Sequence, residues 1–176
     1  TALTSITIPD SVTSIGSQAF FGCTKLNSIT IPGSVMIISD SVFGNCTSIY
    51  SIMLLDGVTS IGNFAFSGCT KLTSITIPSS VTSIGSCAFQ SCTALTSIAT
   101  SANIGSLAFN GCGALTNVVA NSNIGDDAFL YCSALDKITL GEGVTSIGSN
   151  AFGSCSSLKD IILPSTLSKI GNSAFK

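Results

Sequence analysis

The 176-residue sequence predicts a solenoid of eight coils, each 20–23 residues long. A parallel β-sheet is expected along one face, with short extended segments and helical or 3₁₀ turns on the other. Three observations carry this. The chain repeats itself at a fixed period, the same apolar positions recur within every copy, and the composition suits a packed core.

The copies begin at Leu3, Leu26, Ile49, Leu72, Leu95, Leu115, Leu135 and Leu158. Six keep a 23-residue period, and the two at Leu95 and Leu115 are 20 residues long. They open on Leu-x-x-Ile-x-Ile or a variant of it, which is too short and too β-branched for a helix, and in four copies a proline follows (Pro9, Pro32, Pro78, Pro164). This stretch is read as a strand. Val-Thr-Ser-Ile then reads as a second, shorter extended segment. Ala-Phe-x-x-Cys has helical spacing, which predicts one helical or 3₁₀ turn. No single coil buries its own apolar set, so stacked neighbours must turn each position into a ladder.

Composition narrows the function. Apolar residues make up 45% of the chain and charged residues only 8%, the reverse of a disordered sequence. No apolar run has the ~18 residues of a membrane span, so no membrane insertion is expected. The net charge of −2, with six lysines and no arginine, argues against a nucleic-acid partner. Histidine is absent, which removes Ser-His-Asp and Cys-His catalysis and the histidine-containing zinc sites. No enzyme activity and no cofactor are expected. The chain reads as one domain, residues 1–176, without an initiator Met or polar caps, as expected of a processed protein or a fragment of a longer array.

The consensus Leu-x-x-Ile-x-Ile-Pro-x-x-Val-x-x-Ile-Gly-x-x-Ala-Phe-x-x-Cys, spread over residues 3–176, resembles the leucine-rich repeats of the BspA-like type. The resemblance implies a leucine-rich repeat fold with a parallel sheet on one face. It also implies a cell-surface or secreted protein of a bacterium or parasitic protist, engaged in adhesion to host or matrix proteins. A non-catalytic module binding a protein or glycan partner through its strand face is the leading expectation. Structural self-assembly by head-to-tail stacking of uncapped ends is the alternative, and ice or mineral binding by regular Ser-x-Thr rows ranks last.

The outward strand positions form columns. One runs Thr7, Thr30, Met53, Thr76, Ala99, Val119, Thr139, Ile162, and beside it run Ser5, Ser28, Ser51, Ser74, Ser97, Asn117, Lys137, Asp160. Tyr50 and Met53 in coil three, Val119 in coil six and Ile162 in coil eight depart from Ser/Thr and are the partner-binding candidates. The pairs Lys137–Asp160 and Asp136–Lys159 are expected as opposite-charge ladder contacts between strands about 4.8 Å apart. In the two short coils the three residues lost before Ile-Gly should pinch the back of the solenoid over 95–134.

Seven cysteines, Cys23 to Cys155, follow Phe by three residues and are expected as an unpaired buried ladder. Cys87 lies outside that ladder, in the column Gln18, Ser41, Phe64, Cys87, Leu107, Asp127, Asn150, Ser173, and is expected to be an exposed thiol. No metal site is expected, for want of Cys-x-x-Cys or histidine. Asp126, Asp127 and Glu142 are the conceivable acids for glycoside hydrolysis, although a solvated turn or a helix N-terminus suits the Asp pair better. Asn45-Cys46-Thr47 is a formal glycosylation sequon centred on a predicted core residue.

Overall fold

Alternation of buried and exposed side chains makes strands of the Leu-x-x-Ile-x-Ile stretches. The computed structural model describes residues 2–176, and six of these stretches form front strands. They are Ser28–Ile31, Ser51–Leu54, Ser74–Thr76, Ser97–Thr100, Asn117–Ala120 and Lys137–Leu140. Within each sheet they are parallel and in register, so Ile29, Ile52 and Ile75 stack inward while Thr30, Met53 and Thr76 stack outward. The corresponding stretches of coils one and eight stay outside the sheets, so front strands occupy about six turns rather than all eight. The register that would bring Lys137 to Asp160 and Asp136 to Lys159 is therefore not formed, because the strand Lys137–Leu140 ends its sheet.

A second parallel sheet is built from two-residue strands ending on the Ile before Gly. Ile37–Ile38, Ser60–Ile61, Ser83–Ile84 and Asn103–Ile104 pair in sequence. Ile124 bridges Ile104 to Ile147, and Ser146–Ile147 pairs with Lys169–Ile170. At the bridge, the Asn123 side-chain oxygen accepts from Thr145 N (3.0 Å), Thr145 Oγ1 (2.9 Å) and Ser146 N (2.9 Å). A carboxamide there supplements the thin backbone pairing.

The Ala-Phe-x-x-Cys segment is not helical: among the described residues there is no helix. It is a run of β-turns. In coil four, Ala88, Gln90, Cys92 and Leu95 N–H groups each donate to the carbonyl three residues back, at 3.0–3.3 Å. The alternate amides point along the solenoid axis: Cys87, Phe89 and Ser91 N donate to Ser106, Ala108 and Asn110 O at 2.9, 2.7 and 2.8 Å. Two columns of left-handed residues make this alternation possible. One is Gln18, Ser41, Phe64, Cys87, Leu107, Asp127, Asn150 and Ser173, at φ 50–61°. The other precedes each cysteine: Gly22, Asn45, Gly68, Ser91, Gly111, Tyr131 and Ser154, at φ 56–74°. A non-glycine residue at positive φ is disfavoured, and here the axial hydrogen bonds offset that cost. Sequence spacing alone does not separate such turns from one helical turn.

Inside this spine the phenylalanines from Phe20 to Phe175 stack at ring-centroid spacings of 5.1–5.6 Å. Each stacked pair contributes about 0.5–1.5 kcal/mol beyond its buried area. All eight cysteines are free and buried, as expected for seven of them. Each ladder thiol from Cys46 onward donates to the Phe carbonyl of the preceding coil, Cys92 Sγ to Phe66 O at 3.2 Å for example. That same carbonyl accepts Cys69 N at 3.2 Å, so both lone pairs are used.

Cys87 departs from expectation. It is 6% exposed, not an open thiol. Its column neighbours in the adjacent coils are Phe64 and Leu107, both large and apolar. Burial raises its pKa, as it does those of the ladder thiols from Cys46 onward.

From coil three onward the glycine after the Ile marks a close coil contact. A Cβ on Gly105 would lie 2.8 Å from the Gly85 carbonyl carbon and from Ile84 O. Coil two carries Ser39 instead, whose Oγ donates to Ile15 O at 2.5 Å.

The missing residues of coils five and six remove a corner. In long coils a β-turn closes there, Val35 N to Pro32 O or Val81 N to Pro78 O at 3.0 Å. In coil five Thr100 is buried in its place, and its Oγ1 accepts Ala102 N at 3.1 Å. Thr100 and Ala120 stand where long coils bury Ile31, Leu54 and Leu140, a smaller filling for a narrower cross-section. The front sheet divides at the first short coil, between Ser74–Thr76 and Ser97–Thr100, into two three-stranded sheets.

Candidate functional site

A front face built from short in-register strands presents the side chains the pleat turns outward, one row per coil. In coils one to five these are mostly Ser and Thr, and Ser28, Thr30, Ser51, Ser74, Thr76 and Ser97 are all exposed. Thr73, Thr96 and Thr116 Oγ1 donate to the backbone carbonyls of Tyr50, Thr73 and Thr96 in the preceding coils, at 3.3, 3.2 and 3.1 Å. That row is fixed. The hydroxyl oxygens keep their remaining lone pairs toward solvent.

Tyr50 and Met53, 54% and 55% exposed, interrupt these rows in coil three. Met53 lies in register between Thr30 and Thr76. Tyr50 N donates to Asn27 O at 3.0 Å, which holds the base of that side chain in the sheet. Val119 is also exposed, but it belongs to the other three-stranded sheet, between Ala99 and Thr139. Ile162 is exposed in coil eight outside either front sheet. The fold therefore brings Tyr50 and Met53 together and leaves Val119 and Ile162 apart from them.

A concavity of about 440 Å³ lies on this face beside Met53, lined by residues of coils one to three. It forms where the coil-one stretch Thr4–Ile8 runs beside the strand Ser28–Ile31 without pairing to it. Leu55, in the proline column and 40% exposed, adds to its wall. Sequence reading passed over Leu55. Its replacement of the proline found in coils one, two and four was the available signal.

The other candidates have structural roles. Asp126 Oδ1 accepts Ser149 N at 2.6 Å, Glu142 Oε2 accepts Ser165 Oγ at 2.9 Å, and Asp127 is one of the left-handed residues. Asn45 is exposed in the second left-handed column, while Cys46 at the sequon's centre is fully buried. Among the described residues no group of His, Cys, Asp or Glu is arranged to hold a metal ion. No helix of the described residues is long and apolar enough to cross a membrane.

Comparison with known proteins places this architecture. The profile of the BspA type leucine rich repeat region matches residues 1–116 and 99–176, in six copies. No curated protein matches. Among solved structures, a leucine-rich repeat protein from Eubacterium ventriosum is 28% identical, with a TM-score of 0.83 over 99% of this chain and 59% of that one. The T. pallidum leucine rich repeat protein is also 28% identical, with a TM-score of 0.78 over 89% of this chain and 78% of that one. A leucine rich cell surface protein of Faecalibacterium prausnitzii is 30% identical, with a TM-score of 0.69 over 98% of this chain. This chain spans 45% of that protein's length. The repeat consensus, the stacked ladders and the profile match agree: the chain belongs to the BspA-type leucine-rich repeat proteins.

Proposed function

We propose that this chain is a non-catalytic binding or adhesion module of a surface or secreted protein, meeting a protein or glycan partner through its front face. The observation that carries the reading is the exposed Tyr50–Met53 pair on a face whose outward positions in coils one, two and four are Ser, Thr and Asn. An exposed aromatic on a rigid scaffold makes a large contact with little entropy to lose. Membership in a family with a cell-surface relative supports an extracellular setting.

Immobilised matrix proteins (collagen, laminin, fibronectin) and a glycan array test this, with Tyr50→Ser/Met53→Ser compared against Ile162→Ser. The pair should lose at least tenfold in affinity for whatever the wild type retains, and Ile162→Ser should match the wild type. Equal binding by all three rejects the face.

A further inference from the structure

We infer that the 440 Å³ concavity over coils one to three binds an uncharged saccharide. This rests on the front-face reading and adds the class of ligand. The volume lies within the ~300–1,000 Å³ range of small-molecule sites.

The lining has two chemical sides. Ser5, Thr7, Ser28, Thr30 and Ser51 bring hydroxyl groups from three successive coils. Pro32, Met53 and Leu55, with Ile6, Ile8 and Ile29, supply the apolar part. A pyranose ring has the matching division, a rim of hydroxyls and a face of C–H groups. Each serine or threonine hydroxyl both donates and accepts, as each sugar hydroxyl does. Successive coils repeat at about 4.8 Å, close to the length of one sugar unit in an extended chain.

Charge narrows the ligand further. Asp10 is the lone ionisable residue in the lining, and no lysine joins it. A carboxylate accepts strong hydrogen bonds from a neighbouring pair of sugar hydroxyls. It repels sulfated, uronic or sialylated chains, with no cation present to offset that. A protein partner fits the lining less well, because interface hot spots are poor in Ser and Thr and rich in Trp, Tyr and Arg.

Calorimetric titration of the whole chain with neutral oligosaccharides of glucose, mannose, galactose and N-acetylglucosamine tests this, with heparin and hyaluronan fragments as acidic comparators. At least one neutral series should bind and the acidic ones should not. Asp10→Asn should weaken that binding at least tenfold, since hydrogen bonds to a charged acceptor are the stronger ones. Thr30→Val should weaken it less, and Thr139→Val, on the far sheet, should leave it unchanged. All three positions are exposed, so thermal unfolding should stay at the wild-type temperature. Binding of acidic chains alone, no sugar binding, or sugar binding indifferent to Asp10 and Thr30 overturns the inference. If matrix proteins bind through Tyr50 and Met53 while no sugar does, the saccharide is rejected and the front face stands. If the Tyr50/Met53 variant matches the wild type for every ligand, the face itself has failed.

Discussion

Between coils four and five the front sheet loses its strand pairing, whereas the turn spine crosses the same junction with Cys87, Phe89 and Ser91 N bonded at 2.7–2.9 Å. Phe89 and Phe109 stack across it at 5.1 Å and 1°. The two sides differ because the deletion lies wholly between the strand and Ile-Gly. From that Ile to the cysteine every full coil has the same length, so the spine meets identical geometry at each step. The front strands meet that three-residue difference in path at both ends of the short-coil pair, unpaired between coils four and five yet in register between Asn117–Ala120 and Lys137–Leu140. A repeat tolerates a change of length on the side that is not its register-setting ladder.

Alkali should act on the spine first and most strongly. Burial raises the thiol pKa of Cys46 and Cys155 to about 11 and of Cys112 to about 12, from an ordinary 9.0. Desolvation likewise pushes Cys69, Cys92 and Cys132 upward. The unfolded chain therefore releases these protons more readily than the folded one. The thiols' contribution to stability is complete below pH 9 and is lost as pH rises through 11–12. Circular dichroism across pH 8–12 should show cooperative unfolding within that window. A chain fully folded at pH 12 would show that the thiols are not what holds the spine.

Next in size is Phe89→Ala. The ring is fully buried with a stacked partner on each side, and its loss should cost about 3–5 kcal/mol in urea unfolding. A cost below 1 kcal/mol would make the spine no stiffer than the front. Gly105→Ala should follow, at about 1–3 kcal/mol, because the new methyl group meets backbone rather than a movable side chain. Thr100→Val should lie at or below that, at about 1–3 kcal/mol, by leaving the buried Ala102 N–H without its acceptor.

The smallest effect sharpens the comparison most. Amide hydrogen exchange should be faster at Ser97–Thr100 than at Ser51–Leu54, the latter paired on both sides. Each net hydrogen bond is worth about 0.5–1.5 kcal/mol, so the difference should be several-fold. Restoring a Pro-x-x-Val corner to coil five should slow that exchange and leave the spine amides unchanged. Equal protection in the wild type would mean that the two front sheets behave as one.

The period, the inward and outward columns and the free buried cysteine ladder were all legible in the residues, because stacking forces a chemical preference to recur at one place in every coil. Tyr50, Met53, Val119 and Ile162 were likewise readable as outward departures, and all four are exposed. What escaped was conformation that leaves no compositional mark. The column of Gln18, Ser41, Phe64, Cys87 and Leu107 looked tolerant because the left-handed backbone, not the side chain, is its fixed feature. Tertiary structure alone decided that Cys87 is covered, that the Ala-Phe turns are bonded along the axis, and that the front sheet breaks at the first short coil. Each of these depends on what the next coil places alongside. A sequence repeated down a solenoid states which residues stack, but only the stacked coils fix how closely each pair of neighbours meets.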